Sequence, residues 1–553
     1  MVAATAGRVA AAAAGAAAAT RVNALEQLVT LVSYHDLLPH LPAYIEDLRR
    51  VTLNLIATGT EDEAMNAIEF WSTVADEEAA LQDDDDGGGG KEGEEGGEGG
   101  EGEEGGGGTG IVRGSLQSLV PVLTATLLKQ DADAEGGNEA WNASQAAGAC
   151  LHAVYQVAGG VMLKDDLPFL SFITENMKAK DASSILAAAE ESWRNREAAC
   201  AAVGAIIDGP STALVEPLIN GGLLFLLLEM TTSDAHIKVR DTAGWVIAKI
   251  AQHHPACIVE GDAGVEHSSP FEQVVDAWIE TLGDAPVVAH QACFAIHNLA
   301  AVLDDGDRAL HTLFGTVLDK LEETAARDDG NEHNLVISAY EAINMMVERC
   351  EGEECLNRAG DLVPPMLQRL EELQGAAGGA AAGSTAAGGA GGAAAGGTAG
   401  ERRNMATRSI LGSIQTVVAK YGDEKGCLID AMGGIPYTEV VDTILRLTIA
   451  AMAYASDGGG GGGRPEELNS IEAIMVVATV CQTVGPEFER WHNEFFPLLM
   501  EALGNHGQSQ VRWRGEGGEE GEEGEESEGE MRKRARRKRK EGMKGGFREG
   551  ERG

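Results

Sequence analysis

Aromatic residues, long apolar runs and paired cysteines are all scarce in this sequence. Phe, Trp and Tyr together make up 5% of the residues, and strand-forming aromatic and β-branched stretches are few, which disfavours a β-rich fold. No run of about 18 consecutive apolar residues occurs, so a membrane span is not expected. The eight cysteines form no Cys-x-x-Cys pair, which argues against a disulfide framework or a zinc site and indicates a reducing compartment.

Positive charge is also in short supply. The chain carries 42 Lys and Arg against 88 Asp and Glu, a formal net charge of −46. A surface this acidic repels nucleic acid and anionic membranes and attracts basic peptides and proteins. We therefore expect basic protein partners, with no direct nucleic-acid partner and no membrane partner.

Motifs that carry chemistry are missing as well. No glycine-rich phosphate loop is followed by Lys-Ser or Lys-Thr, and no nucleophile elbow is present. His290 and His297 lie seven residues apart on one predicted helical face, but two histidines do not make a metal site, and we expect them to be surface or helix-packing residues. The sequence therefore predicts no metal, no cofactor and no enzyme.

Low-complexity segments divide what is present. They cannot bury enough apolar surface to offset the entropy lost on ordering, and we expect them to be disordered. They comprise an Ala-rich leader at 1–20, an acidic and Gly-rich insert at 82–112, a Gly/Ala linker at 375–401, a Gly linker at 457–465 and an acidic-then-basic tail at 511–553. Helical repeats are predicted in the remaining segments, at 21–81, 113–374, 402–456 and 466–510.

A small residue recurs at a regular interval inside the predicted repeats. Ala199, Ala243, Ala292 and Ala339 follow one another at steps of 44, 49 and 47 residues, the period of HEAT and armadillo repeats. Asp234 falls in a predicted turn between helices, with Arg240 after it on the second helix. The pattern predicts an all-α fold, a HEAT/armadillo-like right-handed α-solenoid superhelix in which each helix pair stacks on the next.

Several stretches resemble one particular group of such proteins. Val239-Arg-Asp-Thr-Ala-Gly-Trp245 is similar to the most recognisable repeat of the importin-beta family. Ile68-Glu-Phe-Trp71, Leu119-Val-Pro-Val-Leu and Val484-Gly-Pro-Glu-Phe488 resemble further family segments, in the family's order. The resemblance covers roughly residues 21 to 510 apart from the inserts. The family's amino-terminal and last repeats have no counterpart here, so the chain resembles the central portion of such a protein.

The resemblance implies a nuclear import receptor, or karyopherin. Members bind the basic segment of importin alpha, or basic cargo directly, on an acidic concave face. They dock on Phe-Gly nucleoporins and release cargo to Ran-GTP, so they occur in the cytoplasm, the nucleus and the nuclear pore. Ran-GTP is implied less fully than the other partners, because the family's main Ran contact lies in the amino-terminal repeats.

The resemblance also implies binding residues for the importin-alpha segment. An acidic loop ending in Trp contributes Asp131, Asp133, Glu135, Glu139 and Trp141. Its carboxylates would pair with Arg and Lys, and its Trp would stack on a guanidinium. The alternative is a solvated loop between helices with its Trp packed on the core.

Two further aromatic residues match concave-face tryptophans of the family. They are Trp245 and, in the next repeat, Phe294. Ordinary core packing is the alternative for Trp245, and Trp is large enough to serve in both ways. Phe294 would keep the apolar contact but lacks the indole N–H. The residues of a Phe-Gly groove cannot be assigned from the sequence.

A different HEAT-repeat scaffold, such as a phosphatase regulatory scaffold subunit, is the main alternative function. That family has uniform repeats near 39 residues and no acidic loop ending in Trp. The longer spacing and Trp141 favour the import receptor.

Overall fold

A computed structural model describes most of the chain. It covers residues 18–33, 35–86, 110–130, 141–164, 166–177, 193–260, 269–305, 307–330, 332–381, 399–421, 437–456, 465–493, 495–497 and 500. Within these ranges every regular element is a helix, as the sequence predicts. Most of the leader, the acidic insert, the two linkers and the tail lie outside them.

The helices form antiparallel pairs that follow one another along the chain. After α1 (Ala18–Val32), the first helices of the pairs are α2 (Ile45–Thr58), α4 (Ile111–Leu127), α6 (Phe169–Met177), α8 (Thr212–Leu218) continued by α9 (Leu224–Ser233), α12 (Pro270–Thr281), α14 (Arg308–Ala325), α17 (Val363–Ala381) and α19 (Tyr437–Ser456). The second helices are α3 (Glu61–Asp86), α5 (Ala143–Ala158), α7 (Trp193–Gly204), α10 (Ile237–His253), α13 (Pro286–Val302), α15 (Leu335–Arg349), α18 (Ala399–Tyr421) and α20 (Pro465–Val484).

Shorter helical segments connect these pairs. α11 (Pro255–Val259) and α16 (Glu353–Gly360) are short α-helices, and a π-helical turn at Ile219–Leu223 joins α8 to α9. The 3₁₀ segments are His35–Ala43, Gly159–Leu163, Glu332–Asn334 and Gly485–Arg490.

Local sequence signals explain where many helices begin. Asn142 caps α5 by accepting from the Gln145 backbone N–H at 3.0 Å, while the Gln145 side chain accepts from the Asn142 backbone N–H. Ser269 and Glu272 form the same reciprocal box at α12. Such boxes satisfy amide donors that the first turn of a helix leaves free. Pro286 occupies the first turn of α13, where its missing N–H costs nothing.

Small residues line the contacts between successive second helices. The four alanines that recur in the sequence are fully buried, one each on α7, α10, α13 and α15, and Ala67, Ala147 and Ala473 are buried in the same way on α3, α5 and α20. A methyl side chain lets neighbouring helices approach closely, so each second helix packs on the one before and the one after it. The repeat phase read from the sequence is confirmed, and with it a stacked, solenoid-like core.

A ladder of bidentate ion pairs also ties successive repeats together. Arg196 on α7 donates to both carboxylate oxygens of Asp234, at 2.5 and 2.9 Å, in the turn before α10. Arg240 on α10 donates in the same way to Asp284 before α13, at 2.6 and 3.0 Å, and also to the Asp234 carbonyl at 2.9 Å. Parallel N–H···O bonds of this kind fix direction as well as distance. The Asp–Arg link between turns that the sequence suggested is confirmed.

A buried carboxylate links the helix before the acidic insert to the helix after it. α3 runs to Asp86 and α4 begins at Ile111, while residues 87–109 lie outside the described part. Glu78 of α3 accepts from the backbone N–H groups of Ile111 and Val112, at 2.8 and 2.9 Å. A carboxylate at a helix N-terminus satisfies free donors and suits the helix dipole, so Glu78 fixes the start of α4.

Two helical stretches are long and apolar enough to cross a membrane by length and composition alone, Ala143–Leu163 and Thr212–Ser233. The first contains α5, which packs among its neighbouring repeat helices, and the second contains α8 and α9. Core helices of HEAT repeats reach the same hydropathy, so neither stretch argues for a membrane span. Neither stretch is continuously apolar, which agrees with the absence of a run of about 18 apolar residues in the sequence.

Candidate binding groove

One groove of about 570 Å³ lies across three consecutive second helices, α5, α7 and α10. Residues three or four apart share a helical face, and each helix contributes one such face. The polar and aromatic side chains of the lining include Gln145 and His152 of α5, Glu197 of α7, Lys238, Asp241, Thr242, Trp245 and Lys249 of α10, and Gln130 and Asn142 from the segment between α4 and α5.

Trp245 lies half-buried in the wall of this groove. Its ring rests against the backbone of Gly204, so closely that a Cβ at that position would lie 2.1 Å from ring atom Cζ3. The Lys249 amino group stands 5.1 Å from the ring centroid, within the range of a cation–π contact. Trp245 therefore packs between two helices and also faces the groove. Core packing and groove lining are both observed for this residue.

The carboxylates of the groove are already hydrogen-bonded. Glu197 accepts from Gln130 and, at 3.1 Å, from Thr242. Asp241 accepts from the Gln291 amide at 2.8 Å. Two carboxylates therefore face two lysines, Lys238 and Lys249. The described wall of the groove carries no net negative charge of its own.

A second charged set consists of two groove residues, Lys249 and His152, and of Asp208, which does not line the groove. Asp208, in the turn after α7, accepts from the Lys249 amino group at 2.7 Å and lies 3.4 Å from the His152 ring nitrogen Nδ1. Burial opposes the charged carboxylate, but the hydrogen bonds from His152 and Lys249 outweigh it and hold the pKa of Asp208 well below its usual range. The same hydrogen bond with Asp208 raises the pKa of His152.

The structure describes only some of the predicted binding residues. The loop carboxylates Asp131, Asp133, Glu135 and Glu139 lie outside the described residues. The residues on either side of that loop, Gln130 and Asn142, both line the groove.

The two predicted aromatic residues besides Trp245 are exposed. Trp141, 62% exposed, directly precedes α5 and the groove residue Asn142. Phe294 is 39% exposed on α13, with its ring parallel to that of His290 and the centroids 6.5 Å apart. It lies one repeat further along and outside the groove lining. Trp245 and the residues that flank the predicted loop, Gln130 and Asn142, therefore line one groove, and Phe294 does not.

Sequence reasoning missed the charged residues that surround Trp245. Lys238, Asp241 and Lys249 lie on the same face of α10 as Trp245, and Glu197 occupies the corresponding face of α7. The signal was available: once Trp245 is placed on the second-helix layer, its neighbours at three- and four-residue steps must share that layer.

The histidines considered as metal ligands serve helix packing instead. His290 Nδ1 lies 2.7 Å from the Ser338 hydroxyl and His297 Nδ1 lies 3.3 Å from the Glu341 carbonyl, both on α15. Among the described residues, no three His, Cys, Asp or Glu side chains stand together as metal ligands would.

Comparison with known proteins shows which proteins the chain is similar to. Residues 273–378 match the family described as importin subunit beta-1-like TPR repeats, and residues 193–250 match the HEAT-like repeat. Importin subunit beta-1 of Arabidopsis thaliana is 27% identical over 495 residues, which is 89% of this chain and 49% of that protein. The Schizosaccharomyces pombe importin subunit beta-1 is 28% identical over 61% of this chain and 35% of its own length.

Solved structures agree on the fold. A crystal structure of importin beta superposes with a TM-score of 0.68 at 23% identity, covering 91% of this chain and 50% of that one. Kap95p in a structure with RanGDP gives 0.67 at 20% identity, covering 91% and 50%. Kap95 in a complex with Nup1 gives 0.63 at 20% identity, covering 91% and 55%.

The fold and the repeat matches define a HEAT-repeat solenoid. By sequence, the chain is similar to importin subunit beta-1 over most of its length, in agreement with the resemblance of its motifs. It spans about half the length, or less, of the curated relatives that it matches.

Proposed function

We propose that this chain acts as a nuclear import receptor that binds the basic segment of importin alpha, or basic cargo directly, along its second helices. The observation that carries the proposal is the groove across α5, α7 and α10. It presents the half-buried Trp245 in its wall, and its lining includes Gln130 and Asn142, which flank the predicted acidic loop in the sequence. Such a site suits an extended basic helix rather than a small substrate.

Aromatic residues and carboxylates would contact the ligand in different ways. Trp245 offers an aromatic surface against which an arginine or the stem of a lysine can pack. Trp141, largely exposed beside α5, offers another. Because the described wall is balanced in charge, we infer that the attraction for a basic ligand comes from the acidic residues of the predicted loop, Asp131, Asp133, Glu135 and Glu139.

Ran and Phe-Gly nucleoporins are the other partners that we infer. Homology to importin subunit beta-1 and structural likeness to Kap95p, which has been solved with RanGDP and with Nup1, support both. Release of the ligand by Ran-GTP, and movement between cytoplasm and nucleus through the pore, follow from this assignment. The proposed activity is transport and not catalysis.

The direct test is the binding of a fluorescently labelled basic helical peptide, followed by anisotropy. Trp141→Ala combined with Trp245→Ala removes both aromatic surfaces. Leu214→Ala is the matched control, because Leu214 is an exposed apolar side chain, 50% exposed, on the first helix α8. The peptide should bind with micromolar affinity or tighter, the double variant should lose binding, and the control should keep it.

Salt dependence tests the electrostatic part separately. Exposed charges are screened over about 10 Å at 0.1 M salt, so affinity should fall as salt rises. Failure of the folded wild-type chain to bind any basic peptide would contradict the proposal. Binding that the two Trp changes leave intact would move the ligand away from this groove.

A further inference from the structure

A charged set of Asp208, Lys249 and His152 adjoins Trp245 through Lys249. Asp208 lies outside the lining residues, in the turn that follows α7. Its partners Lys249 and His152 come from α10 and α5. One carboxylate therefore joins all three helices that form the groove.

Lys249 is the link between this carboxylate and the ring. Its amino group donates to Asp208 at 2.7 Å and to the Gly204 carbonyl at 2.8 Å. The same amino group stands 5.1 Å from the Trp245 ring centroid. Lys249 follows Trp245 by four residues and so lies one helical turn away on the same face. A lysine held by two acceptors is fixed in place, and it fixes the ring beside it.

Asp208 also balances the positive charge of Lys249 beside the ring. An unpaired lysine at 5.1 Å would repel a basic ligand approaching Trp245. The Asp208 carboxylate, which accepts from the Lys249 amino group, compensates that charge. His152 and the Gln156 amide, which donates to the Asp208 carbonyl at 3.2 Å, hold the turn in place.

We propose that Asp208 is a positioning residue for ligand binding: through Lys249 it holds the Trp245 ring against Gly204 and compensates the charge beside it. This inference rests on the proposed function for its ligand. It names a residue that acts on the groove without touching what the groove binds.

The test replaces Asp208 by Asn, which keeps the shape and removes the charge. Asp284→Asn is the matched control, because it breaks another Asp–cation pair at the same α10 helix with similar burial: the side chains are 22% and 14% exposed for Asp208 and Lys249, and 25% and 18% for Asp284 and Arg240. Asp208→Glu restores the charge. All variants are made in the full chain.

The first readout needs no ligand. In protein labelled with 5-fluorotryptophan, the Trp245 resonance is identified by its loss in Trp245→Ala. Its ¹⁹F shift should move or broaden in Asp208→Asn and stay close to wild type in Asp284→Asn and Asp208→Glu. An unchanged Trp245 resonance in Asp208→Asn overturns the proposal.

The second readout is a double-mutant cycle with the labelled basic peptide. Coupling between contacting residues commonly corresponds to changes of around tenfold in affinity. Asp208→Asn should therefore weaken binding about tenfold in the wild-type background, and by little more when Trp245→Ala is already present. Equal losses in both backgrounds overturn the proposal, because Asp208 would then act independently of Trp245.

The two hypotheses fail in different ways. If the wild-type chain binds no basic peptide but the Trp245 resonance still depends on Asp208, the positioning role stands and the proposed ligand is wrong. If the peptide binds and the resonance ignores Asp208, the receptor function stands and the positioning role is wrong.

Discussion

Substituting Gly204 by Ala should displace Trp245, because the added methyl group has no room. The new Cβ would lie 2.1, 2.6 and 3.0 Å from ring atoms Cζ3, Cη2 and Cε3. Carbon atoms normally pack at about 3.5–4.0 Å. The ring therefore has to move by roughly an ångström or more, and it has to move within the packed space between α7 and α10.

Two opposing effects determine the size of the loss. Overpacking of this kind costs about 1–3 kcal/mol. Alanine is a better helix former than glycine by up to about 1 kcal/mol, an advantage that is smaller at the last residue of α7. We expect Gly204→Ala to destabilise α7 and α10 by about 1–2 kcal/mol. With Trp245→Ala the obstacle is gone, and the same substitution should become neutral or stabilising.

Native-state hydrogen exchange of the α7 and α10 amides is the appropriate assay. It reports local opening free energies, whereas a long repeat array need not unfold in one step. Gly148→Ala is the matched control. Gly148 also lines the groove, but its Cβ would meet only Leu127 Cδ2, at an ordinary 3.8 Å. The reasoning is refuted if Gly204→Ala behaves like Gly148→Ala, or if its effect has the same sign with and without Trp245.

Three further outcomes are expected. Burial opposes the charged form of Asp284, but the hydrogen bonds from Arg240 outweigh burial and lower its pKa. The pair therefore stabilises the folded chain above the unfolded pKa of Asp, and this contribution is lost as pH falls. The difference in urea midpoint between wild type and Asp284→Asn should shrink below about pH 4. The hydrogen bond with Asp208 raises the pKa of His152. The pair therefore stabilises the folded chain fully below the unfolded His pKa and less as pH rises through the folded pKa. An NMR titration of His152 should show a midpoint above the ordinary histidine value, and Asp208→Asn should return that midpoint toward the ordinary value. Glu78→Ala should leave two amide donors at the start of α4 without their carboxylate, and hydrogen exchange of the first α4 amides should show a loss of about 1–3 kcal/mol.

The repeat architecture could be read from the chain because its signals are local. Helical periodicity, the recurring small residue and the Asp–Arg pattern each repeat within a stretch of about one repeat, and stacking of identical units follows from them. Ala243 and Arg240 could therefore be placed on the second helix, and Asp234 in the turn, without any knowledge of distant contacts.

The binding site could be predicted only in part. Trp245 was assigned both a packing and a binding role, and the structure shows it packed on Gly204 and lining the groove. Phe294 is grouped with it because the resemblance places both at concave-face tryptophans of the family, but it lies one repeat further along, outside this groove. The carboxylates of the acidic loop remain predictions, as they fall outside the described residues.

The character of the groove wall could not be predicted, because it depends on pairs of residues from different repeats. Lys249 and Asp208 are 41 residues apart, and Gln130 and Glu197 are 67 apart. Counting charges along the sequence shows a large acidic excess. The groove wall, in contrast, carries two carboxylates and two lysines.

The amino-acid sequence by itself determined the helical class and the phase of the repeats, because these depend on spacing within single repeats; its composition gave the acidic character, and its motifs gave the resemblance to importin beta. Only the tertiary structure decided that three successive second helices form one groove, that Trp245 lies there against Gly204 with the Lys249 amino group beside it, and that Asp208 joins all three helices. The physical reason is that the crossing geometry of neighbouring repeats sets which side chains meet, and no single repeat contains that information.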